Sequence, residues 1–133
     1  MTELPKAAPT VMREAHFPGR APVDSYGAGG FRFADMSHRG SILCLPSGIY
    51  EWSVAAADQL DTGSLQRVLD EAEAIEVLLV GTGADLVPLP DAVRAALKER
   101  GVGSDPMSTG AAVRTFNVLL SEGRQVAAAL IAV

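Results

Sequence analysis

The sequence lacks most of the features that indicate a particular chemistry. Cys44 is the single cysteine in 133 residues, so no intrachain disulfide can form. Aromatic residues make up only 5% of the chain, which leaves the core to Ala, Val, Leu and Ile. No apolar stretch approaches the roughly 18 residues that span a bilayer, and residues 1–10 lack the apolar segment of a signal peptide. We therefore expect a cytoplasmic location and no transmembrane segment.

Basic residues are also scarce, and they are scattered. The chain has 11 basic and 16 acidic residues, a formal net charge of −5, and no run of lysine or arginine. A net acidic surface repels phosphate backbones. Nucleic acid is therefore not expected as a partner.

What the chain does contain is a globular composition. Hydrophobic residues make up 48% of it, and its length fits one domain that can bury a sizeable core. Residues 1–22 hold four prolines and no sustained periodicity, which predicts a flexible N-terminal arm. Residues 23–133 are then expected to form a single α/β domain.

The first part of this domain is predicted to be a meander of short antiparallel strands. Glycine-rich and proline-containing turns separate apolar runs at a density that is typical of such a meander. A turn is expected at His38-Arg39-Gly40. The predicted strands are Val23–Tyr26, Phe31–Ala34, Ser41–Leu45 and Ile49–Val54.

After residue 60, helices and strands alternate. A helix that begins at residues 61–64 carries an apolar stripe at helical spacing and ends near Glu73. Strand–helix–strand units with buried strands favour parallel pairing of the strands. The remaining predicted elements are a strand Ile75–Val80, a helix opened by Pro90-Asp91 and closed by Gly101, a strand Val102–Asp105, a helix from Ser108 or Thr109 to Glu122, and a strand Gln125–Val133.

Gly81-Thr82-Gly83 follows the predicted buried strand, at the edge where open α/β sheets usually bind ligands. A dinucleotide fingerprint would need a glycine at position 86, which is Leu86, and the lysine of a phosphate-binding loop is absent. The motif is thus compatible with a tight turn or with a ligand-binding loop.

The start of the last helix offers a second part for such a site. Ser108 or Thr109 can cap the helix, or together with Met107 can line a pocket shared with the glycine turn. Farther along, Arg114, Asn117 and Arg124 fit either a solvated helix face with ion pairs or side chains that enter this pocket. Both interpretations stay open.

Nucleophilic and metal-based catalysis find little support in the sequence. Cys44 lies in the apolar run Ser41–Leu45, so a buried, inert thiol is expected. His16 lies in the arm and His38 in a predicted turn, and two isolated histidines make a poor metal site. No catalytic residue, metal ligand or cofactor is predicted.

Several short motifs follow one another along the chain with a specific order and spacing. They are Tyr26-Gly27-Ala28-Gly29-Gly30-Phe31, Gly40-Ser41-Ile42-Leu43, Gly81-Thr82-Gly83, Leu97–Gly101, Met107–Leu119 and Glu122–Leu130. Together they resemble the domain-of-unknown-function family numbered 498 over about residues 20–133. The resemblance implies a three-layer α/β fold with a central mixed β-sheet, a β-hairpin or meander extension and about three helices. The family includes mitochondrial respiratory complex I assembly factors and an adipogenesis-associated protein, and it supplies no established catalytic residues.

Two hypotheses about function follow. The first is a non-enzymatic protein-interaction or complex-assembly factor, which predicts a protein partner and an exposed apolar patch. The second is a small-molecule or anion-binding domain, either a binding module or an enzyme. It predicts a pocket between the Gly81–Gly83 turn and the helix near Ser108, with Arg114 or Arg124 pointing in. The identity of the partner and the oligomeric state are left open.

Overall fold

The computed structural model describes residues 17–133, with nine strands and three α-helices among them. The strands are β1 (Phe17–Pro18), β2 (Ser25–Gly27), β3 (Gly30–Phe33), β4 (Met36–Arg39), β5 (Ser41–Leu45), β6 (Gly48–Trp52), β7 (Val77–Gly81), β8 (Gly103–Met107) and β9 (Val126–Leu130). The helices are α1 (Gln66–Asp70), α2 (Asp91–Glu99) and α3 (Thr109–Ser121), and three short 3-10 turns occupy Ala57–Gln59, Gly63–Leu65 and Ala72–Ala74.

Six strands form the central sheet, in the order β1-β6-β5-β9-β7-β8. Strand β7 pairs in parallel with both β8 and β9, whereas β5 pairs antiparallel with β6 and β9. The sheet is therefore mixed, and the predicted α/β class is confirmed. The parallel strand–helix–strand unit is also confirmed, with β7 and β8 in register from Val77 opposite Gly103 to Gly81 opposite Met107.

Alternation along the strands divides the interior into two cores, because successive side chains point to opposite faces of a sheet. In β9, Ala127 and Ala129 face the core that α1 and α2 cover, and Ala128 faces the core that α3 covers. The same alternation places Leu43 on the first face and Cys44 on the second. Helices on both sides of one sheet give the expected three layers.

A second, three-stranded antiparallel sheet, in the order β2-β3-β4, packs on the α3 side of the central sheet. Phe31 and Phe33 of β3 are almost fully buried there. The predicted turn at His38-Arg39-Gly40 is wrong in part: His38 and Arg39 belong to strand β4, and the chain reverses at Ala34-Asp35 instead. Both of these residues adopt positive φ angles, a conformation that residue types alone do not reveal.

The predicted helix before Glu73 is correct in its buried side but not in its backbone. Leu65, Val68, Leu69 and Ala72 are all buried, as the apolar stripe requires. The segment is nevertheless split into a 3-10 turn, the short α1 and another 3-10 turn, because Leu65 and Glu71 both have φ near −111°. The stripe is therefore assembled from three short pieces.

The N-terminal boundary of the described residues lies against the central sheet. Phe17 pairs with Ile49 in β1 and β6, and the Gly19 amide donates to the Ser47 carbonyl over 2.9 Å. Residues 1–16 of the predicted arm, with His16, lie outside the described residues. From residue 17 to residue 133, no helix is long and apolar enough to cross a membrane.

Candidate functional site

The Gly81–Gly83 turn and the start of α3 are in direct contact. The Thr109 amide donates to the Gly83 carbonyl over 2.8 Å, and the Gly83 amide donates to the Thr109 hydroxyl over 3.0 Å. The same hydroxyl donates to the carbonyl of Ile131 over 2.7 Å. Thr109 is completely buried. It therefore joins the ends of β7 and β9 to the first residue of α3.

Thr82 holds the loop that follows β7. Its hydroxyl oxygen lies 2.7 Å from the Asp85 carbonyl and 3.1 Å from the Met107 carbonyl, and it accepts the Val87 amide over 2.9 Å. The Thr82 amide also donates to the Met107 carbonyl over 2.9 Å. One buried side chain thus fixes the loop on the end of β8.

Gly81 allows the close approach between strand and helix. A Cβ atom at this position would lie 2.9 Å from the Thr109 Cα and 3.1 Å from a methyl carbon of Leu130. Such distances are shorter than ordinary contacts, so a larger residue would push α3 away from the sheet. The glycine here serves close packing.

Most backbone amides at this edge already have acceptors. Ser108 is the N-cap of α3, one of the two caps that the sequence offered, and its hydroxyl accepts the Ala111 amide over 3.3 Å. The Ala112 amide donates to the Ser108 carbonyl, and the amides of Thr82, Gly83 and Thr109 are bonded as described above. An anion binds at such an edge by accepting hydrogen bonds from free backbone amides. The amides here instead donate to oxygen atoms of the chain itself.

The three polar residues predicted on or just after α3 do not gather at the turn. Arg114 is exposed. The side-chain amide of Asn117 accepts the Val23 amide over 2.9 Å and donates to the Val23 carbonyl over 2.8 Å, which fastens the chain before β2 to the middle of α3. Arg124 forms a two-pronged ion pair with Glu76, with nitrogen–oxygen distances of 3.2 and 3.0 Å.

The Arg124–Glu76 pair lies at the opposite edge of the sheet from the turn, because Glu76 immediately precedes β7 and Gly81 ends it. The pair is exposed, with about half of each side chain accessible to solvent. The hydrogen bond from Arg124, followed by its charge, holds the pKa of the Glu76 carboxyl below its ordinary value.

A shallow concavity of about 400 Å³ opens beside the turn, and Thr82 and Gly83 form part of its lining. Leu86 and Val87, in the loop after the turn, are exposed by 59% and 39%. We call these two residues and their small neighbours the loop surface. The neighbours that line the concavity are Ala55, Ala56, Ala57, Ala84, Asp85, Ile131, Ala132 and Val133.

Sequence reasoning missed the loop surface, although a signal was present. Leu86 and Val87 are large apolar residues within a stretch that has no helical or strand periodicity and that ends in Pro88. Apolar side chains in an irregular loop are either buried beneath it or exposed for contact. Leu89 is buried, whereas Leu86 and Val87 are exposed.

The groups considered for catalysis and metal binding are placed as follows. Cys44 is buried, as predicted, and burial raises the pKa of its thiol to about 12. A thiol of this kind is not a nucleophile at neutral pH. Within residues 17–133, no three histidine, cysteine or acidic side chains lie close enough together to hold a metal ion.

Known proteins resemble this chain over nearly all of its described part. Residues 23–131 match the family described as "Protein of unknown function (DUF498/DUF598)". An uncharacterized protein of Rhodobacter capsulatus is 42% identical over 119 residues, which cover 90% of each chain. A crystal structure described as an outer membrane protein from Bartonella henselae is 61% identical and has a TM-score of 0.85, covering 88% of this chain and 98% of that one.

A further relative has a named role. The mouse protein named NADH dehydrogenase [ubiquinone] 1 alpha subcomplex assembly factor 3 is 31% identical over 118 residues. The match covers 89% of this chain but 64% of the mouse protein, so this chain spans less than two thirds of that relative. The family match and the Rhodobacter relative together establish that the chain belongs to the DUF498/DUF598 family.

Proposed function

We propose that this protein is a non-enzymatic interaction factor that assists the assembly of a multi-subunit complex, and that it binds its partner through the loop surface. The observation that carries this proposal is the exposure of Leu86 and Val87 beside an alanine-lined concavity. Large apolar side chains grouped on a surface favour contact with another protein, because contact removes them from water.

The rigid attachment of the loop supports this role. The Thr82 hydroxyl contacts the loop at the Asp85 carbonyl and the Val87 amide, so the apolar side chains are presented on a fixed backbone. A preorganised surface loses less conformational freedom on binding than a mobile one does. An assembly factor that must recognise one partner benefits from such a surface.

The named relatives support the same proposal. Assembly factors of NADH dehydrogenase share this domain over most of its length, and NADH dehydrogenase is therefore the first complex to examine. The alternative, an anion or small-molecule site at the Gly81–Gly83 turn, has less support. The amides of the turn are bonded to the chain itself, and Arg124 points to Glu76.

Gene deletion with complementation tests the proposal. In cells that lack this protein, we expect less assembled NADH dehydrogenase on a native gel stained for activity. The wild-type chain should restore the complex, and a chain with Leu86→Asp and Val87→Asp should not.

Val118→Asp is the matched control. Val118 is 53% exposed on α3, away from the loop, and the substitution likewise replaces an exposed apolar side chain with aspartate, adding one negative charge where the loop variant adds two. It should restore the complex as well as the wild type does. Normal assembly in the deletion strain would contradict the role in this complex, and restoration by the doubly substituted chain would contradict the surface.

We also propose a cytoplasmic location, which is supported by the single cysteine, because disulfide-rich chains are typical of oxidising compartments. Fractionation of native cells should recover the untagged protein with the cytoplasmic fraction. Recovery in the envelope fraction after a high-salt wash would contradict this location.

A further inference from the structure

The outer face of the three-stranded sheet is basic, although the chain as a whole carries a net charge of −5. Its three strands, Ser25–Gly27, Gly30–Phe33 and Met36–Arg39, contain two arginines and no aspartate or glutamate, and their one histidine, His38, lies opposite Phe31 on the other face. Scattered charges are normal on a protein surface. A sheet with only positive charges on a protein with a net negative charge is less usual and calls for an explanation.

Strand register places the two arginines on the same face. Arg32 lies opposite Ser37 in the β3–β4 pair, and an Arg32 guanidinium nitrogen donates to the Ser37 hydroxyl over 2.7 Å. Arg39 follows Ser37 by two residues, so alternation puts it on the Arg32 face. Phe31 and Phe33 are buried on the opposite face, which confirms the assignment.

This face is open and concave. Arg32, Ser37, Arg39 and Ser25 are exposed, and they line a depression of about 690 Å³. Among residues 17–133, neither arginine has a carboxylate within ion-pair distance. The two guanidinium groups therefore have most of their donors available to a ligand.

The acidic residues closest in sequence do not neutralise the face. Asp24 precedes β2 and is exposed, and within residues 17–133 it forms no ion pair with either arginine. Asp35 lies in the turn between β3 and β4, at the end of the sheet opposite Arg39. Three residue steps along β4 separate Met36, next to that turn, from Arg39, which is roughly 10 Å.

We propose that this arginine face binds an acidic polypeptide segment of a partner protein. Guanidinium groups hold carboxylates through paired, charge-assisted hydrogen bonds. Arginines that are diagonal neighbours across two strands stand about 7 to 8 Å apart. Carboxylates two residues apart on an extended chain are separated by about 7 Å, so acidic residues at alternate positions match this spacing.

The charge distribution favours an acidic protein segment over nucleic acid. A nucleic-acid surface needs a wide basic patch on a domain of basic character, and this chain has a sequence pI of about 4.9. Two arginines with two serines suffice for a short acidic segment. The proposal rests on the interaction role above and gives that role a second surface, of different chemistry from the loop surface.

A titration of the full chain, followed by the backbone amide signals in NMR spectra, tests the proposal. The probe is an eight-residue peptide of alternating glutamate and serine, and its counterpart has glutamine for glutamate. We expect the glutamate peptide to shift the signals of β2, β3 and β4, with an affinity that falls as salt is added. The glutamine peptide should shift none of them.

Charge-reversing variants locate the binding site. Arg32→Glu with Arg39→Glu should lower the affinity roughly tenfold or more, since two ion pairs are lost and repulsion is added. Arg94→Glu with Arg100→Glu makes the same charge change on exposed residues of the α2 region and should leave the affinity near that of the wild type. If the first variant does not fold, Arg32→Gln with Arg39→Gln replaces it.

Four results would overturn the proposal. These are no signal shift with the glutamate peptide, equal shifts with the glutamine peptide, an equal loss of affinity in the Arg94 and Arg100 variant, and tighter binding of an eight-nucleotide single-stranded DNA to the same face. The assay uses purified components, so its failure leaves the gene-deletion test of the assembly role intact.

Discussion

The two edges at which the parallel strands begin and end are held by different kinds of interaction. At the carboxyl edge, the completely buried hydroxyl of Thr109 connects the Gly83 amide to the Ile131 carbonyl. At the amino edge, Arg124 and Glu76 form an ion pair that is about half exposed. A buried hydroxyl with both partners satisfied is costly to remove, whereas an exposed ion pair competes with water and salt.

This difference identifies which polar residues form structure and which surface is left for binding. The carboxyl edge resembles a ligand site in position, but its donors and acceptors hold the fold together. The apolar side chains of Leu86 and Val87, beside that edge, have no such structural role and are exposed. Our proposal therefore places the binding surface on the loop and not on the backbone amides of the turn.

The largest effect is expected at the carboxyl edge. Thr109→Val keeps the shape of the side chain but leaves the Gly83 amide and the Ile131 carbonyl without their partner. We expect a loss of about 2 to 4 kcal/mol in the free energy of unfolding, measured by urea denaturation. Thr115→Val, at a half-buried position of the same helix, is the control. A Thr109 effect no larger than that of Thr115 would show that the hydroxyl does not join the edge.

An intermediate effect is expected in the middle of α3. Asn117→Ala removes both hydrogen bonds to the backbone of Val23, and we expect a loss of about 1 to 3 kcal/mol in the free energy of unfolding. Hydrogen exchange of the Val23 amide should accelerate as well. Arg114→Ala, three residues earlier and exposed, should change stability by less than about 0.5 kcal/mol. Unchanged exchange at Val23 in the Asn117 variant would contradict the contact.

The smallest effect is expected at the amino edge, and it depends on pH. Because the pKa of Glu76 is lowered in the folded state, its contribution to stability is present above the ordinary glutamate pKa of about 4.3. That contribution disappears as the pH falls through the lower, folded-state pKa. Arg124→Gln should therefore reduce stability slightly at neutral pH and not at all in strong acid.

Urea denaturation of the wild type and the Arg124→Gln variant gives the difference in their free energies of unfolding. It is measured at neutral pH and in strong acid, with and without added salt. Salt should reduce the difference at neutral pH, because the pair is exposed. A difference as large as that of Thr109→Val would remove the contrast between the two edges.

The sequence predicts the α/β part of the fold well, because its signals are local. A few adjacent residues are enough to indicate each of three elements. They are the apolar run around Val80 for the buried strand, the proline at the start of α2, and the Ser108 cap of α3. Strand β4 was missed because it has no such local signal. Its polar residues, such as His38 and Arg39, become a strand only through pairing with β3, which no local pattern reveals.

For the candidate site, the sequence shows which elements meet but not which contacts they make. Sequence reasoning correctly expected the turn and the start of α3 to be neighbours, since both lie at the carboxyl edge. It could not reveal that Thr109 fills the contact with its own hydroxyl, because Ile131 is distant in sequence. Arg124 was grouped with the turn although the 13-residue α3 separates it from Thr109 by roughly 20 Å.

Affinity purification from native cells tests the central claim most directly. The wild-type chain and the chain with Val118→Asp should each recover the same protein in a fixed ratio. The chain with Leu86→Asp and Val87→Asp should recover none of it, while its urea denaturation midpoint stays at the wild-type value. Equal recovery by all three chains, or no protein in a fixed ratio with the wild type, would contradict the account.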